Sequence, residues 1–455
     1  MSFILNWLRR RSPGEWLFIS FGSLILLGTI LLSLPFSTHS GEIPFLDALF
    51  TATSAVCVTG LIVVDTGKYF TSFGQAVILF LIQLGGFGIM SFGTFIIFML
   101  GGRVSISAER AVSQSFIDAS GLTLKEMLKK SLLFMFLIEF FGAVLLFLGF
   151  GSFYSFPQRL WQAVFHSISA FCNAGFSLNS DSLTKFADNL LVNLTMMGLI
   201  VIGGIGFFVL LEISRMLQTR QKFKKLTLHT KIVLLMSGIL IFFGAGLLIF
   251  FEWNQAFADF GIKGKILRGF FQSITARTAG FNTVEIGSLS EASLMVLLGL
   301  MFIGGAPGSC AGGVKVTSAG VILTVALGLF RRIKRPSIFG RSLSRETIDR
   351  ALLLLVSGFL LVNVFILLLL ILEGGLSSHH LVAGRFLTLA FEAISAFGTV
   401  GLSLGITPHL SFLGKILIIL LMFTGRLGPL TLIYALQARR VPVAIEYPEE
   451  EVMIG

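Results

Sequence analysis

Charge is what this chain has least of: 13% of its 455 residues are Asp, Glu, Lys or Arg, against roughly 25% in an ordinary soluble domain. One soluble core could not cover the apolar remainder, because 55% of the residues are hydrophobic and Phe alone accounts for 48. Cysteine is scarce as well. Cys57, Cys172 and Cys310 are odd in number and show no CxxC spacing, so neither a disulfide framework nor a zinc site is indicated. The formal charge of +11 is concentrated in Lys and Arg blocks between hydrophobic segments. That placement argues for membrane orientation and against a nucleic-acid partner.

What is present is a series of apolar runs near the roughly 20 residues that cross a hydrocarbon core of about 30 Å. Eight crossings are predicted, near 16–36, 73–100, 131–151, 189–211, 231–252, 290–330 (interrupted), 351–372 and 413–437. If alternate connections are assigned to the cytoplasm, 23 of the 34 Lys and Arg residues fall there, which puts both termini inside. Arg9, Arg10 and Arg11 precede the first span without a small-residue cleavage pattern, so the N-terminus is read as retained. Shorter apolar segments, too brief to cross, lie on the outer face between each odd span and the even span after it.

Those short segments resemble one another. They run from Phe50 to Gly60, Phe165 to Gly175, Phe271 to Gly280 and Phe391 to Gly401, the third being one residue shorter. A second glycine cluster follows each: Gly85-Gly86-Phe-Gly88, Gly203-Gly204-Ile-Gly206, Gly304-Gly305-Ala-Pro-Gly308 and Thr424-Gly425-Arg-Leu-Gly428. Similar contexts in the same order four times mean an internal repeat. The expected organisation is a cytoplasmic N-terminus (1–15), four span–loop–span repeats (16–100, 127–211, 231–330 and 349–437) and a cytoplasmic tail (438–455). The fold class is an all-α membrane protein with eight transmembrane helices and four re-entrant half-helices around a pseudo-fourfold pore.

Non-helical backbone at membrane depth is tolerated only where it is buried in protein or lines a watery cavity. Each re-entrant segment reads as a half-helix followed by an extended turn at glycine, whose missing Cβ lets successive carbonyls point inward. Rings of such carbonyls replace the hydration shell of a cation, and half-helix C-termini aimed at the interior favour positive charge. The candidate filter positions are Val58, Thr59 and Gly60; Asn173, Ala174 and Gly175; Thr278, Ala279 and Gly280; and Thr399, Val400 and Gly401. The last triplet matches the opening of the potassium-filter signature TVGYG.

With these four segments in place, the whole chain resembles the Trk/Ktr/HKT superfamily of potassium transporters, and within it the membrane subunits of bacterial Ktr systems. The resemblance implies potassium uptake across the bacterial inner membrane. It implies selectivity from one glycine per loop and an intramembrane gating loop. It also implies a homodimer regulated by a separate cytosolic, KtrA-like ring of RCK subunits, with ATP or ADP bound only on that partner. No covalent cofactor is expected, the transported K+ occupies the filter residues, and sodium stimulation is left open.

The interruption of the sixth crossing supplies the candidate gate: Gly304, Gly305, Ala306, Pro307, Gly308, Ser309, Cys310, Ala311, Gly312, Gly313, Val314 and Lys315. It is too rich in glycine for a continuous helix, and it is no Walker motif because Val314 separates glycine from lysine. Arg426 is an intramembrane charge, which the resemblance implies acts as a barrier in the pore. Arg277 reads as a brace behind the filter and Glu392 as a candidate counter-ion. Two alternatives stand beside this reading. One is a sodium- or proton-coupled symporter using Glu139, Glu252 or Glu373. The other, remote, is an intramembrane serine hydrolase built on Gly401-Leu-Ser403-Leu-Gly405.

Overall fold

In hydrocarbon a long apolar segment can satisfy its backbone only by closing its hydrogen bonds within itself, and the helix does so. The computed structural model describes residues 13–87, 124–220, 223–332, 335–374 and 384–428. The expected cytoplasmic N-terminus up to residue 12, including Arg9, Arg10 and Arg11, lies outside the described residues. So do residues 88–123 and the tail beyond 428.

The described chain is mostly helical. In order it forms α1 (Pro13–Leu32), α2 (Phe45–Val56), α3 (Ser72–Gly86), α4 (Leu124–Phe150), α5 (Phe156–Phe171), α6 (Leu190–Gly204) and α7 (Phe207–Gln218). Then follow α8 (Leu228–Glu252), α9 (Ile262–Thr275), α10 (Glu291–Phe302), α11 (Val316–Phe330), α12 (Arg345–Leu372), α13 (Arg385–Gly398) and α14 (Phe412–Leu427). A two-stranded hairpin, Ser337–Ile338 with Arg341–Ser342, precedes α12.

Among the described residues three helices, α8, α12 and the one centred on α4, are individually long and apolar enough to cross a membrane. The fourth expected crossing, 189–211, is not one straight helix: α6 and α7 meet at a bend of 103°. The cause is local and tertiary together. Gly206 sits at φ +90°, where a Cβ would crowd the Pro307 carbonyl, and the Phe207 N–H, freed by the bend, donates to the Gly308 carbonyl at 3.3 Å.

The other second spans stop at the corresponding glycines: α3 ends at Gly86, α10 just before Gly304 and α14 just before Gly428. These glycines also bring backbones together. A Cβ on Gly85, Gly203 or Gly425 would overlap the carbonyl of Val56, Phe171 or Phe397, in the final turn of α2, α5 or α13.

Packing runs round in chain order. Helix α3 lies on α5, α6 on α9, α10 on α13, and α14 returns to α2. Polar ties accompany three of these contacts. Trp161 on α5 donates from Nε1 to Gln75 on α3 at 2.8 Å, Arg268 on α9 donates to Asp188 before α6 at 2.8 Å, and Lys415 on α14 donates to Asp47 on α2 at 2.7 Å.

Candidate functional site

The last turns of α2, α5, α9 and α13 converge. Each is followed by a residue at positive φ: Val58 at 55°, Asn173 at 57°, Thr278 at 71° and Thr399 at 50°. Two residues later comes a positive-φ glycine: Gly60 at 89°, Gly175 at 71°, Gly280 at 79° and Gly401 at 92°. Val58 and the two threonines are β-branched, and holding such residues there costs on the order of 1–3 kcal/mol each. The four turns are imposed by their surroundings.

The glycines form a closed ring. A Cβ on Gly60 would lie under 3.0 Å from the Ala174 carbonyl, one on Gly175 from that of Ala279, one on Gly280 from that of Val400, and one on Gly401 from that of Thr59. The twelve candidate filter residues are thus brought together, and none of them carries a charged side chain. Thr59, Thr278 and Thr399 each hold a buried hydroxyl without a protein hydrogen-bond partner.

One set of residues behind the ring escaped the sequence reading. Gly60 and Gly401 donate their N–H groups to the hydroxyls of Ser54 (3.0 Å) and Ser395 (3.1 Å). The hydroxyls of Ser169 and Thr275 donate to the carbonyls of Phe176 (2.8 Å) and Phe281 (2.6 Å). The signal was available, since a Ser/Thr-Ala pair recurs in all four segments, as Ser54-Ala55, Ser169-Ala170, Thr275-Ala276 and Ser395-Ala396.

The segment Gly304–Lys315 touches α3, α6 and α14. Its Ala306 N–H donates to Gly204 (2.9 Å), Cys310 N–H to Gly203 (3.3 Å) and Gly313 N–H to Gly425 (3.3 Å), while the Cys310 thiol donates to the Gly86 carbonyl at 2.9 Å. Its two ends are tied by Gly304 N–H to Val314 at 2.8 Å. Lys315 Nζ folds back to the Ala311 carbonyl at 2.7 Å. Gly304 and Gly312 face the side chains of Thr278 and Thr399, so the segment lies directly against the positive-φ residues of the ring.

Arg426 is 2% exposed. Its guanidinium donates to the carbonyls of Cys310 and Gly85, joining α14 to the loop and to α3. Arg277 is turned the other way, donating to Ser237 on α8 at 3.1 Å. Glu392 is buried and accepts from Thr407 and from Ser403, the latter at 3.0 Å.

The three carboxylates read as coupling groups separate into two kinds. Glu252 accepts from the Ser290 N–H (2.9 Å) and hydroxyl (2.6 Å) at the start of α10, and Glu373 does the same for Ser411 (3.0 and 2.7 Å) at the start of α14. Both brace a serine that is itself the N-cap of the following helix. Glu139 is buried within α4 and accepts from Gln83 at 2.9 Å. At the rim of the fold, the hydrogen bond from Arg268 holds the Asp188 carboxyl below its usual range. Among the described residues the side-chain partners of Ser403 are Glu392 and Thr407 rather than a histidine, and these partners do not make the nucleophile–base pair of a serine hydrolase.

Apolar helices of bilayer length, enclosing half-helices whose glycine turns meet backbone to backbone, define a polytopic membrane transport protein. A family model described as a TrkH cation transport protein matches residues 18–441. The chain is 38% identical over 456 residues to the Ktr system potassium uptake protein B of Bacillus subtilis, covering 99% of this chain and 98% of that one. It is 36% identical over 460 residues to the potassium/sodium uptake protein NtpJ of Enterococcus hirae, covering 98% of each. Among solved structures, the potassium transporter TrkH from Vibrio parahaemolyticus matches with a TM-score of 0.67 at 20% identity, over 92% of this chain and 84% of that one, a likeness of fold. The chain belongs to the TrkH family of cation transport proteins, and it is a transporter rather than an enzyme.

Proposed function

We propose that the protein takes up potassium across the bacterial inner membrane through the glycine ring, acting as a selectivity filter. The observation that carries this reading is the closure of four positive-φ turns on one another in chain order. Backbone carbonyls gathered at such a ring can replace the water of a partly dehydrated cation, and the C-terminal ends of four converging half-helices add negative potential. The relatives named for potassium uptake support the choice of ion.

In this reading the chain is four repeats, 16–100, 127–211, 231–330 and 349–437, with both termini cytoplasmic. The segment Gly304–Lys315 is the gate, supported by its position against Thr278 and Thr399. Arg426 clamps that gate and adds a positive barrier near the ion path. A homodimer carrying a cytosolic nucleotide-binding ring is the working assembly, and its dependence on sodium is read in the uptake assay below. Of the three carboxylates read as coupling groups, the coupled-symport alternative keeps Glu139 in its favour, because Glu252 and Glu373 are engaged by the N-cap serines Ser290 and Ser411.

The test is uptake by the purified chain in liposomes under an inside-negative potential, which supplies about 2.3 kcal/mol per charge per 100 mV. Potassium-selective uptake without sodium supports the filter reading. Uptake that requires sodium on the same side favours the symporter. Absence of cation movement, even with the cytosolic partner added, refutes both.

A further inference from the structure

Between α6 and α9 lies a groove of about 780 Å³, lined by apolar side chains such as Leu194, Met197, Leu267 and Phe270. Its mouth carries Asp188 and Lys263 and its inner end is Val201 and Ile274. The same two inner residues line a small second hollow that reaches Arg277 and Gly305, so the groove ends against the glycine loop.

Depth identifies the medium. From Leu190 to Val201, α6 advances on the order of 17 Å at 1.5 Å per residue, close to one leaflet of a hydrocarbon core about 30 Å thick. Charge identifies the headgroup. Asp188 is engaged by Arg268 at 2.8 Å, leaving the exposed Lys263 as the cation at the mouth. Room is also provided on the wall, since a Cβ on Gly198 would meet no atom within 4 Å.

We propose that this groove is a binding site for one acyl chain of an anionic phospholipid in the leaflet that holds the half-helices, with the lipid phosphate at Lys263. The bound chain lies along α6 and α9 and ends beside Gly305. Neither the family nor the proposed transport activity requires such a site.

The full-length protein, purified in detergent, is titrated separately with phosphatidylglycerol and phosphatidylcholine, and bound lipids are counted by native mass spectrometry. The wild type should retain one phosphatidylglycerol at least tenfold better than phosphatidylcholine. Lys263→Gln, an exposed change that leaves the core untouched, should make the two lipids equal. Gly198→Phe, which fills the groove, should lose that lipid while remaining folded by thermal melting. Equal phosphatidylglycerol retention by wild type and Gly198→Phe overturns the site, as does an unchanged lipid preference in Lys263→Gln. Loss of a dimer rather than of lipid in Gly198→Phe also overturns it, by giving the groove to a second copy. These readouts are masses, so their failure leaves the transport reading to its own assay.

Discussion

Gly401→Ser perturbs one quarter of the glycine ring. Gly401 sits at φ +92°, a conformation that costs a side-chain-bearing residue on the order of 1–3 kcal/mol. Its new Cβ would also overlap the Thr59 carbonyl oxygen and crowd the Gly60 Cα, and overpacking of that kind costs typically about 1–3 kcal/mol. The nearest relief is to push the Thr59 carbonyl out of the ring. If about 1.4 kcal/mol of this strain appears as weaker discrimination between potassium and sodium, the uptake ratio falls about tenfold. The assay is paired potassium and sodium uptake in liposomes, with Gly287→Ser as control. Gly287 is exposed, at ordinary φ, and a Cβ there meets nothing within 4 Å, so its substitution should stay within about 0.5 kcal/mol of neutral. A folded Gly401→Ser protein with the wild-type ion ratio would refute the reasoning, as would an equal loss in the control.

Arg426→Gln removes the guanidinium that ties Cys310 to Gly85; we expect potassium uptake to rise about tenfold, a barrier lowered by about 1.4 kcal/mol, in the same liposome assay. Replacing Lys415 by Met leaves Asp47 partly buried without its 2.7 Å partner and should cost about 1–3 kcal/mol, read as a lowered melting point that Asp47→Asn in the same chain partly restores. Trp161→Phe deletes the 2.8 Å hydrogen bond to Gln75 and should cost about 1 kcal/mol by chemical denaturation. Because Arg268 depresses the Asp188 pKa, this carboxylate stabilises the fold above its unfolded value near 3.9, and the contribution is lost as pH falls through the folded one. The melting points of wild type and Asp188→Asn should therefore converge below about pH 4; a gap that widens there would contradict the assignment.

What the sequence made readable was local or repeated. The four ring glycines could be found because each closes a similar half-helix pattern, one of the four being a residue shorter, and positive φ is a property glycine advertises by its type. The Ser/Thr-Ala pairs were equally visible but mute, because a hydroxyl in a last helical turn states nothing about which backbone group it will meet. The bend at Gly206 depends on Gly308, far along the chain, so residues 189–211 read by themselves as one uninterrupted crossing. Glu252 and Glu373 looked like intramembrane coupling groups because their serine partners come 38 residues later. Charge is legible in a sequence, and its compensation across a fold is not.

The ring of turns comes from one polypeptide, and its four quarters are not identical: Val58, Asn173, Thr278 and Thr399 occupy one layer, Thr59, Ala174, Ala279 and Val400 the next. In an assembly of four equal subunits, every substitution is made four times over. A single chain permits dosage. One, two, three or four glycines can be altered in chosen positions, neighbouring or opposite, so that the number and the symmetry of the defects become independent variables.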